Sequence, residues 1–490
     1  MDWQDQTRSF LWYDYETFGI DPRWDRIAQF AAIRTDLELQ PIGEPMMWYC
    51  RPANDYLPEP QACLLTGITP QQALAKGLPE VEFMRRIEAA MSQPGTCVVG
   101  YNNLRFDDEF TRYGLYRNFL DPYAREWQHG NSRWDLIDLV RTAASIRPAG
   151  MVWPRNEQGE LVLKLDQLAP ANGIEHGTAH DALADVEATI ALARLLRKAQ
   201  PRLFNFLLHL KDKRQVQAQL DLSLHQPSLH ISGMYGQQRG FLTLIGALAI
   251  HPTNKNSVLV FDLQQNPQAY VDHTVADLKT CLFAASQGLP EGQQRLAVKQ
   301  LHINRCPVVA PMQTLTPNDA GRYGIDRWCC QQHLDWLRKQ TELRNRIVAA
   351  FASQMHQSAV DVDVDADLYG GGFFSDQDRQ AMAQVHRSEP AYWRQGGFNF
   401  ADHRLDDMLL RMKARSYPDS LSGVESQTWE AFRRRRLLES GTHPASCPRP
   451  RTYTDFSAAL QRLGEQSMDL KSQHLLAELA HYGEMIYPLD

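Results

Sequence analysis

Three short segments hold the side chains able to do chemistry. Phe10-Leu-Trp-Tyr-Asp14-Tyr-Glu16-Thr-Phe-Gly19 reads as a strand that ends in two carboxylates, and Asn102-Asn-Leu-Arg-Phe-Asp107 and His180-Asp-Ala-Leu-Ala-Asp185 supply more acids and a histidine. Side chains alternate across a strand, so Asp14 and Glu16 share one face about 7 Å apart. Two acids placed this way repel unless cations lie between them. Hard divalent ions such as Mg²⁺ take oxygen ligands and keep positions open for phosphate oxygens. The chemistry these residue types suggest is metal-assisted hydrolysis of a phosphodiester.

Elements that could position these groups are legible in the pattern. Residues 8–200 alternate in the α/β manner, with strands expected at 8–16, 27–35, 45–51 and 96–101 and helices near 82–92, 107–118, 134–146 and 180–198. In the last, Leu183, Val186, Ile190, Ala193 and Leu196 recur at spacings of three and four, which makes one buried face. Gln200-Pro201 ends that pattern, because the residue before proline is pushed away from helix. From about 228 to 310 short β-type runs with Gly, Pro and Asn breaks predict a small sheet or barrel. A helix is expected over 329–352, a linker at 354–358, and further helices near 402–414, 426–440, 453–464 and 468–486.

The chain has 490 residues, of which 43% are hydrophobic and 22% charged, and this suits an ordinary globular protein of about three domains. The longest apolar run, 241–250, is well short of the roughly 18 residues of a membrane span. The first residues lack a basic segment and an apolar core, so no signal peptide is expected and the predicted location is cytoplasmic. Eight cysteines lie at 50, 63, 97, 281, 306, 329, 330 and 447 with no Cys-x-x-Cys pair, so structural zinc is not expected. A net charge of −7 argues against an indiscriminate polycation, since phosphate neutralisation needs local positive charge. It leaves room for a protein whose basic residues are gathered on one wall.

The order acid-x-acid, Asn-x-x-x-Phe-Asp, His-x-x-x-x-Asp resembles the DEDDh exonuclease superfamily, whose members have a ribonuclease H-like α/β fold. That resemblance implies five catalytic residues: Asp14, Glu16, Asp107, His180 and Asp185. Asp14 would bridge two metal ions, Glu16 and Asp185 would complete the tighter one, and Asp107 would support the second. His180 would take a proton from the attacking water. Each residue also has a plainer reading. Asp14 and Glu16 could be a solvated strand end, and His180 an ordinary helix-start residue. Asp108 reads as a first-turn acid stabilised by the helix dipole, and Asp135 and Asp181 read as caps or structural acids.

A narrower resemblance spans nearly the whole chain. Asp14-Tyr-Glu-Thr-Phe-Gly, Leu65-Thr-Gly-Ile-Thr-Pro, Gly100-Tyr-Asn-Asn-Leu-Arg-Phe-Asp, Asn131-Ser-Arg-Trp-Asp, His230-Ile-Ser-Gly-Met, Leu301-His-Ile-Asn-Arg-Cys-Pro-Val and Gly372-Phe-Phe-Ser-Asp resemble the bacterial exodeoxyribonuclease I family. The resemblance implies an exonuclease domain at 8–200, an SH3-like domain at 201–353 and a helical C-terminal domain at 358–490, forming a clamp over a strand. It implies 3′-to-5′ hydrolysis of single-stranded DNA to 5′-mononucleotides in DNA repair and recombination. Two Mg²⁺ ions per site are expected, with Mn²⁺ as a substitute, in a monomer. Besides Glu16, the expected substrate contacts are Leu65 and Thr66 against the terminal bases, Trp127 as a stacking face, and Arg112 and Lys164 on phosphates.

The same resemblance implies a partner, the acidic, apolar tail of single-stranded DNA-binding protein. Arg147 and the run Arg338, Lys339, Arg344 and Arg346 are candidates for it, although most of them read equally as a solvated helix face. Asp361 to Asp367 is calcium-like in spacing but has Ala366 and Gly372 where a calcium loop needs Gly and Glu, so it reads as an acidic connector. Arg433 to Arg436 reads as the coat of a helix. A related RNA exonuclease, a proofreading subunit and a non-catalytic strand-binding scaffold are the alternatives.

Overall fold

The computed structural model describes residues 7–175, 181–284, 289, 294–353, 362–395, 397–439, 449–466 and 469–488. His180 and the expected linker at 354–358 lie outside the described residues. The chain divides into two compact units, Met1–Ser132 with His176–Ala188 and Ser358–Asp490 in the first, and Arg133–Glu175 with Thr189–Gln357 in the second. Among the described residues no helix is long and apolar enough to cross a membrane.

The first unit begins with β1 (Ser9–Thr17), β2 (Ile27–Thr35) and β3 (Met46–Tyr49), then α1 (Pro60–Thr66), α2 (Pro70–Lys76) and α3 (Glu80–Met91), then β4 (Thr96–Gly100) and α4 (Asp107–Arg117). Strands β3, β2, β1 and β4 are neighbours in that order, antiparallel except for the parallel β1–β4 pair. Period-two alternation along β1 sends Leu11, Tyr13 and Tyr15 into a core with Phe30, Phe83, Met84, Ile87 and Phe110. The opposite face carries Trp12, whose indole N–H donates to Thr35 Oγ1 at 2.9 Å, and then the two acids.

Helices α1 and α2 were not expected from the sequence. Each has only seven residues, too few to display a periodic stripe, but both carry proline at the first helical position and Thr69 caps α2 by accepting from the Gln72 amide.

The chain continues with β5 (Ser132–Asp135), α5 (Leu136–Ile146), α6 (Leu165–Ala171) and α7 (Ala182–Ala199). Asp135 accepts from the Ile137 amide and so is the N-cap of α5. Within the second unit follow α8 (Pro201–His209), α9 (Lys213–Ala218), β6 (Ser228–Ile231), β7 (Leu242–Ile250), β8 (Ser257–Asp262), α10 (Val275–Phe283), β9 (Val298–His302), β10 (Val308–Pro311), α11 (Pro317–Arg322), α12 (Arg327–Lys339) and α13 (Thr341–Ala352). The five strands form one antiparallel sheet in the order β10-β6-β7-β8-β9. The helix expected over 329–352 is two helices. Gln340, with φ −97° and ψ 64°, leaves the helical region and breaks it.

The chain returns to the first unit with α14 (Asp376–Arg387), α15 (Arg404–Ser416), α16 (Gly423–Leu438), α17 (Tyr453–Gly464) and α18 (Leu470–Ile486). Phe456, Leu475, Leu479 and Tyr482 from the last two pack with Phe18, Tyr56, Cys63 and Ile68 in one apolar cluster. Helix α14 was missed although its capping box, Ser375 with Asp378, is a sequence signature of a helix start.

Two expectations are corrected in this region. The acidic run before Asp367 is more than an acidic connector, since Asp365 is buried against Arg411, Arg415 and Arg436. The arginine run coats the helix only in part, because Arg435 is exposed and Arg434 half-buried whereas Arg433 and Arg436 fall three apart on the inner face of α16 and are 7% exposed.

Candidate active site

Strand β1 places the acids by alternation and tethers their neighbour by the intervening residues. Asp14 and Glu16 lie opposite Ala31 and Gln29 of β2, and the ladder with β4 runs only from Ser9 to Trp12. Both acids therefore stand beyond the point where β4 has left the strand, at the carboxyl end where open α/β sheets place their ligands. Gly100 closes β4. A Cβ there would sit 2.7 Å from Asn103 Cβ and 3.0 Å from Tyr13 O, so only glycine allows the chain to turn this close to β1.

The turn leads into α4, whose first residue is Asp107. Tyr15 OH donates to Thr111 Oγ1 at 2.9 Å, and that hydroxyl donates in turn to the Asp107 carbonyl at 2.9 Å. Tyr13 OH donates to Asp108 Oδ1 at 3.2 Å. The even positions of β1 thus carry the acids and the odd positions hold the helix that brings Asp107. Asp108 lies in the first turn of α4 as expected, but it is fully buried and accepts from Arg125 Nη2 at 2.8 Å. Its role is structural because the Tyr13–Asp108–Arg125 linkage fixes α4 on the sheet. Burial and the Asp108 charge together raise the Tyr13 hydroxyl well above its ordinary value, which keeps it a donor.

Asp185 enters from the first turn of α7, where Asp181 accepts from the Leu183 amide at 3.1 Å and its carbonyl accepts from the Asp185 amide at 3.0 Å. Carboxylate oxygens of Asp14, Glu16 and Asp185 all lie within 4.8 Å of one another. Burial, then the charges of Asp107 and Asp185, push the Asp14 carboxyl well above the usual range. Glu16 is pushed up to about 9 by burial and by Asp14, Asp185 and Asp181. Among the described residues the groups named as acting on both are other acids, and they favour protonated carboxyls unless a cation is present. An all-oxygen donor set with no thiolate suits a hard divalent ion. Asp107, 5% exposed, acts on Asp14 electrostatically but stands outside the group of three.

The expected substrate contacts fall into different settings. Trp127 is 67% exposed and Leu65 58% exposed, both with ring or chain available to a ligand. Thr66 accepts from the Ile68 amide at 3.2 Å, at the end of α1 where Gly67 turns left-handed with φ 70°. Lys164 is exposed at the N-cap position of α6 in the second unit. Arg112, expected on a phosphate, is buried and its donors are committed to protein carboxylates. Nε and Nη2 donate to Glu126 at 2.8 and 3.0 Å, and Nη1 donates to Glu109 at 2.7 Å. It braces the turn that carries Trp127, and the neighbours Arg125 and Glu126 that complete this bracing carried no motif in the sequence.

The basic residues considered for a partner are partly engaged too. Arg147 donates to Thr314 O at 3.2 Å, Arg346 donates to His273 O and Val271 O, and Arg338 reaches His225 at 2.7 Å.

A mixed sheet with three converging carboxylates, followed by an antiparallel five-stranded unit and a set of helices, is the architecture of a multidomain exonuclease. The family model described as Exonuclease matches residues 11–193, the Exonuclease I SH3-like domain matches 211–353, and the Exonuclease I C-terminal domain matches 362–486. The chain belongs to the exodeoxyribonuclease I family. It is 44% identical to Exodeoxyribonuclease I of Escherichia coli (strain K12) over 482 residues, 98% of each chain. A crystal structure of E. coli exonuclease I in complex with a dA16 oligonucleotide superposes with a TM-score of 0.91 at 43% identity, covering 98% of this chain and 100% of that one. The zinc ion bound form of the E. coli enzyme with single-stranded DNA gives 0.90 at 43% identity, with the same coverage.

Proposed function

We propose that the protein is a 3′-to-5′ exonuclease that hydrolyses single-stranded DNA to 5′-mononucleotides in DNA repair and recombination. The observation that carries this reading is the convergence of Asp14, Glu16 and Asp185 oxygens within 4.8 Å, in carboxyls whose surroundings are acidic. The membership in the exodeoxyribonuclease I family and the oligonucleotide complexes of its E. coli relative support the substrate.

Asp14, Glu16 and Asp185 would hold the metal, with Asp107 supporting it from the start of α4. Two Mg²⁺ ions bound there would supply positive charge to the phosphate oxygens and lower the pKa of water. The chain's own work would be to supply the four carboxylates, to take the proton of the attacking water at His180, and to hold the strand. An unperturbed imidazole titrates near 6.5, which suits that proton transfer at neutral pH. Trp127 offers a stacking face to a base, Leu65 and Thr66 an edge to the terminal bases, and Lys164 a charge to phosphate.

The division of labour we assign is catalysis by residues 8–200, with 201–353 and 358–490 retaining the strand. A monomer in the cytoplasm, docked by the acidic tail of single-stranded DNA-binding protein through residues such as Arg147 and Arg338, completes the reading. A time course on a 5′-labelled DNA single strand, its duplex and an RNA copy, in Mg²⁺ or EDTA, tests it. Shortening from the 3′ end that needs Mg²⁺ and is absent in Asp14→Ala is expected. Consumption of RNA with DNA spared would make the chain an RNA exonuclease, and binding without cleavage would make it a scaffold.

A further inference from the structure

The first unit contains a cavity of about 630 Å³ away from the carboxylate cluster, between the end of α4, the segment 368–374 and α14. None of the catalytic acids lines it. That volume falls within the roughly 300–1,000 Å³ of small-molecule sites. Its walls are aromatic: Tyr116 stacks on Phe374 at 7° between ring planes, Phe119 closes one side, and Tyr123 meets Phe373 edge-on with 6.1 Å between centroids. Phe373 is 87% exposed and free to receive a flat partner on its face.

The rim is cationic. Arg85 from α3 and Arg379 and Arg387 from α14 all border the cavity, with His386 beside them. Arg379 pairs with Asp376 at 2.5 Å, whereas Arg85 uses one nitrogen on the His386 carbonyl at 3.3 Å and has no carboxylate partner among the described residues. Two acids also border the space, and both are engaged. Glu88 accepts from Ser92 Oγ at 2.9 Å, and Asp121 accepts from the amides of Tyr123 and Ala124 at 2.8 and 2.9 Å. Aromatic faces beside guanidiniums left with donors to spare complement a ligand that is flat at one end and dianionic at the other.

We infer that this cavity binds a free nucleoside 5′-monophosphate, its base against Tyr123 and Phe373 and its phosphate on Arg85 and Arg387. The inference rests on the proposed function in one respect, that such a nucleotide is the product this chain releases. A single recess of this volume, half open to solvent, suits one nucleotide better than a run of them, which would need a longer groove.

The test is calorimetric titration of dAMP into the full-length protein in EDTA, beside adenosine and inorganic phosphate, with hydrolysis of single-stranded DNA measured separately in Mg²⁺. Saturable one-to-one binding is expected, weakened at least about tenfold in Arg387→Glu and in Phe373→Ala and unchanged in Asp14→Ala. Adenosine and phosphate should each bind at least about tenfold more weakly than dAMP, and Arg387→Glu should hydrolyse DNA at the wild-type rate. No saturable binding, or binding lost in Asp14→Ala and retained in Arg387→Glu, overturns the inference while leaving hydrolysis intact. Preferential binding of an oligonucleotide that Arg387→Glu abolishes would also overturn it, in favour of a strand site. Absent hydrolysis with dAMP binding retained would instead overturn the proposed function alone.

Discussion

Two groups of buried carboxylates in the same unit have opposite surroundings. Around β1, Asp14 and Glu16 face other acids, and their carboxyls are pushed up, Glu16 to about 9. Between the nuclease sheet and the C-terminal helices, Asp55 and Asp365 are more deeply buried than Asp14, yet burial is outweighed by Arg415 and its neighbours, and both carboxyls lie well below the usual range. Arg415 Nη2 donates to Asp55 at 2.8 Å and to Asp365 at 2.6 Å, and Arg436 and Arg411 each stand 3.2 Å from Asp365. The second group brings its own cations from α15 and α16. Among the described residues, the groups named as acting on Asp14 and Glu16 are acids, which protons or ions from solution can balance. Burial alone does not mark an active site. Burial among other acids is the stronger mark.

The contrast breaks most sharply by exchanging one atom. Asp14→Asn should lower hydrolysis by at least about a thousandfold, since a metal site contributes several kcal/mol to the transition state. The same variant should unfold at no lower denaturant concentration than wild type in EDTA. At the other group the outcome reverses. Arg415→Ala leaves Asp55 and Asp365 short of their main counter-charge and should cost about 3–5 kcal/mol in chemical denaturation.

Trp127→Ala probes the exposed ring, and loss of one base-stacking contact should weaken binding to single-stranded DNA by about 1–3 kcal/mol, read as a higher KM at nearly unchanged kcat.

The smallest effect concerns pH. Glu16 has a folded value of about 9 against 4.5 for the free group, so the folded state holds a proton that the unfolded state has lost across that window. Stability of the metal-free protein should therefore fall as pH rises from about 5 to 9. Glu16→Gln should reduce that slope, to which Asp14 also contributes, and gain about 1 kcal/mol or more at pH 8, the worth of a single pKa unit. Asp55 and Asp365 act in the opposite sense. Their contribution is present above the ordinary value of 3.8 and is lost as pH falls below it, so acid unfolding should begin at this cluster.

Much of this was legible from residue spacing. The acids on β1 follow from period two, and the helix carrying Asp185 follows from its apolar stripe. The strand at 27–35 has the bounds expected for it, and the helix at 453–464 does too. What escaped was long-range pairing. Asp108 looks like any first-turn acid until Tyr13 and Arg125 close on it, and Asp365 looks like a connector residue until arginines from two helices reach it. Arg112 carries the charge of a phosphate ligand, and only the fold reveals that Glu126 and Glu109 have taken its donors. Charges in sequence state their sign but not their partners, and partners decide whether a buried group is structural or reactive.

The central claim is that the β1 cluster exchanges protons for divalent cations. Titration of Mn²⁺ or Mg²⁺ into the metal-free protein at pH 7.5, in two buffers of different ionisation enthalpy, measures it directly. The account predicts saturable binding with net release of protons to the buffer, both lost in Asp14→Asn. Cation binding with no proton release, or with unchanged affinity in that variant, would contradict it.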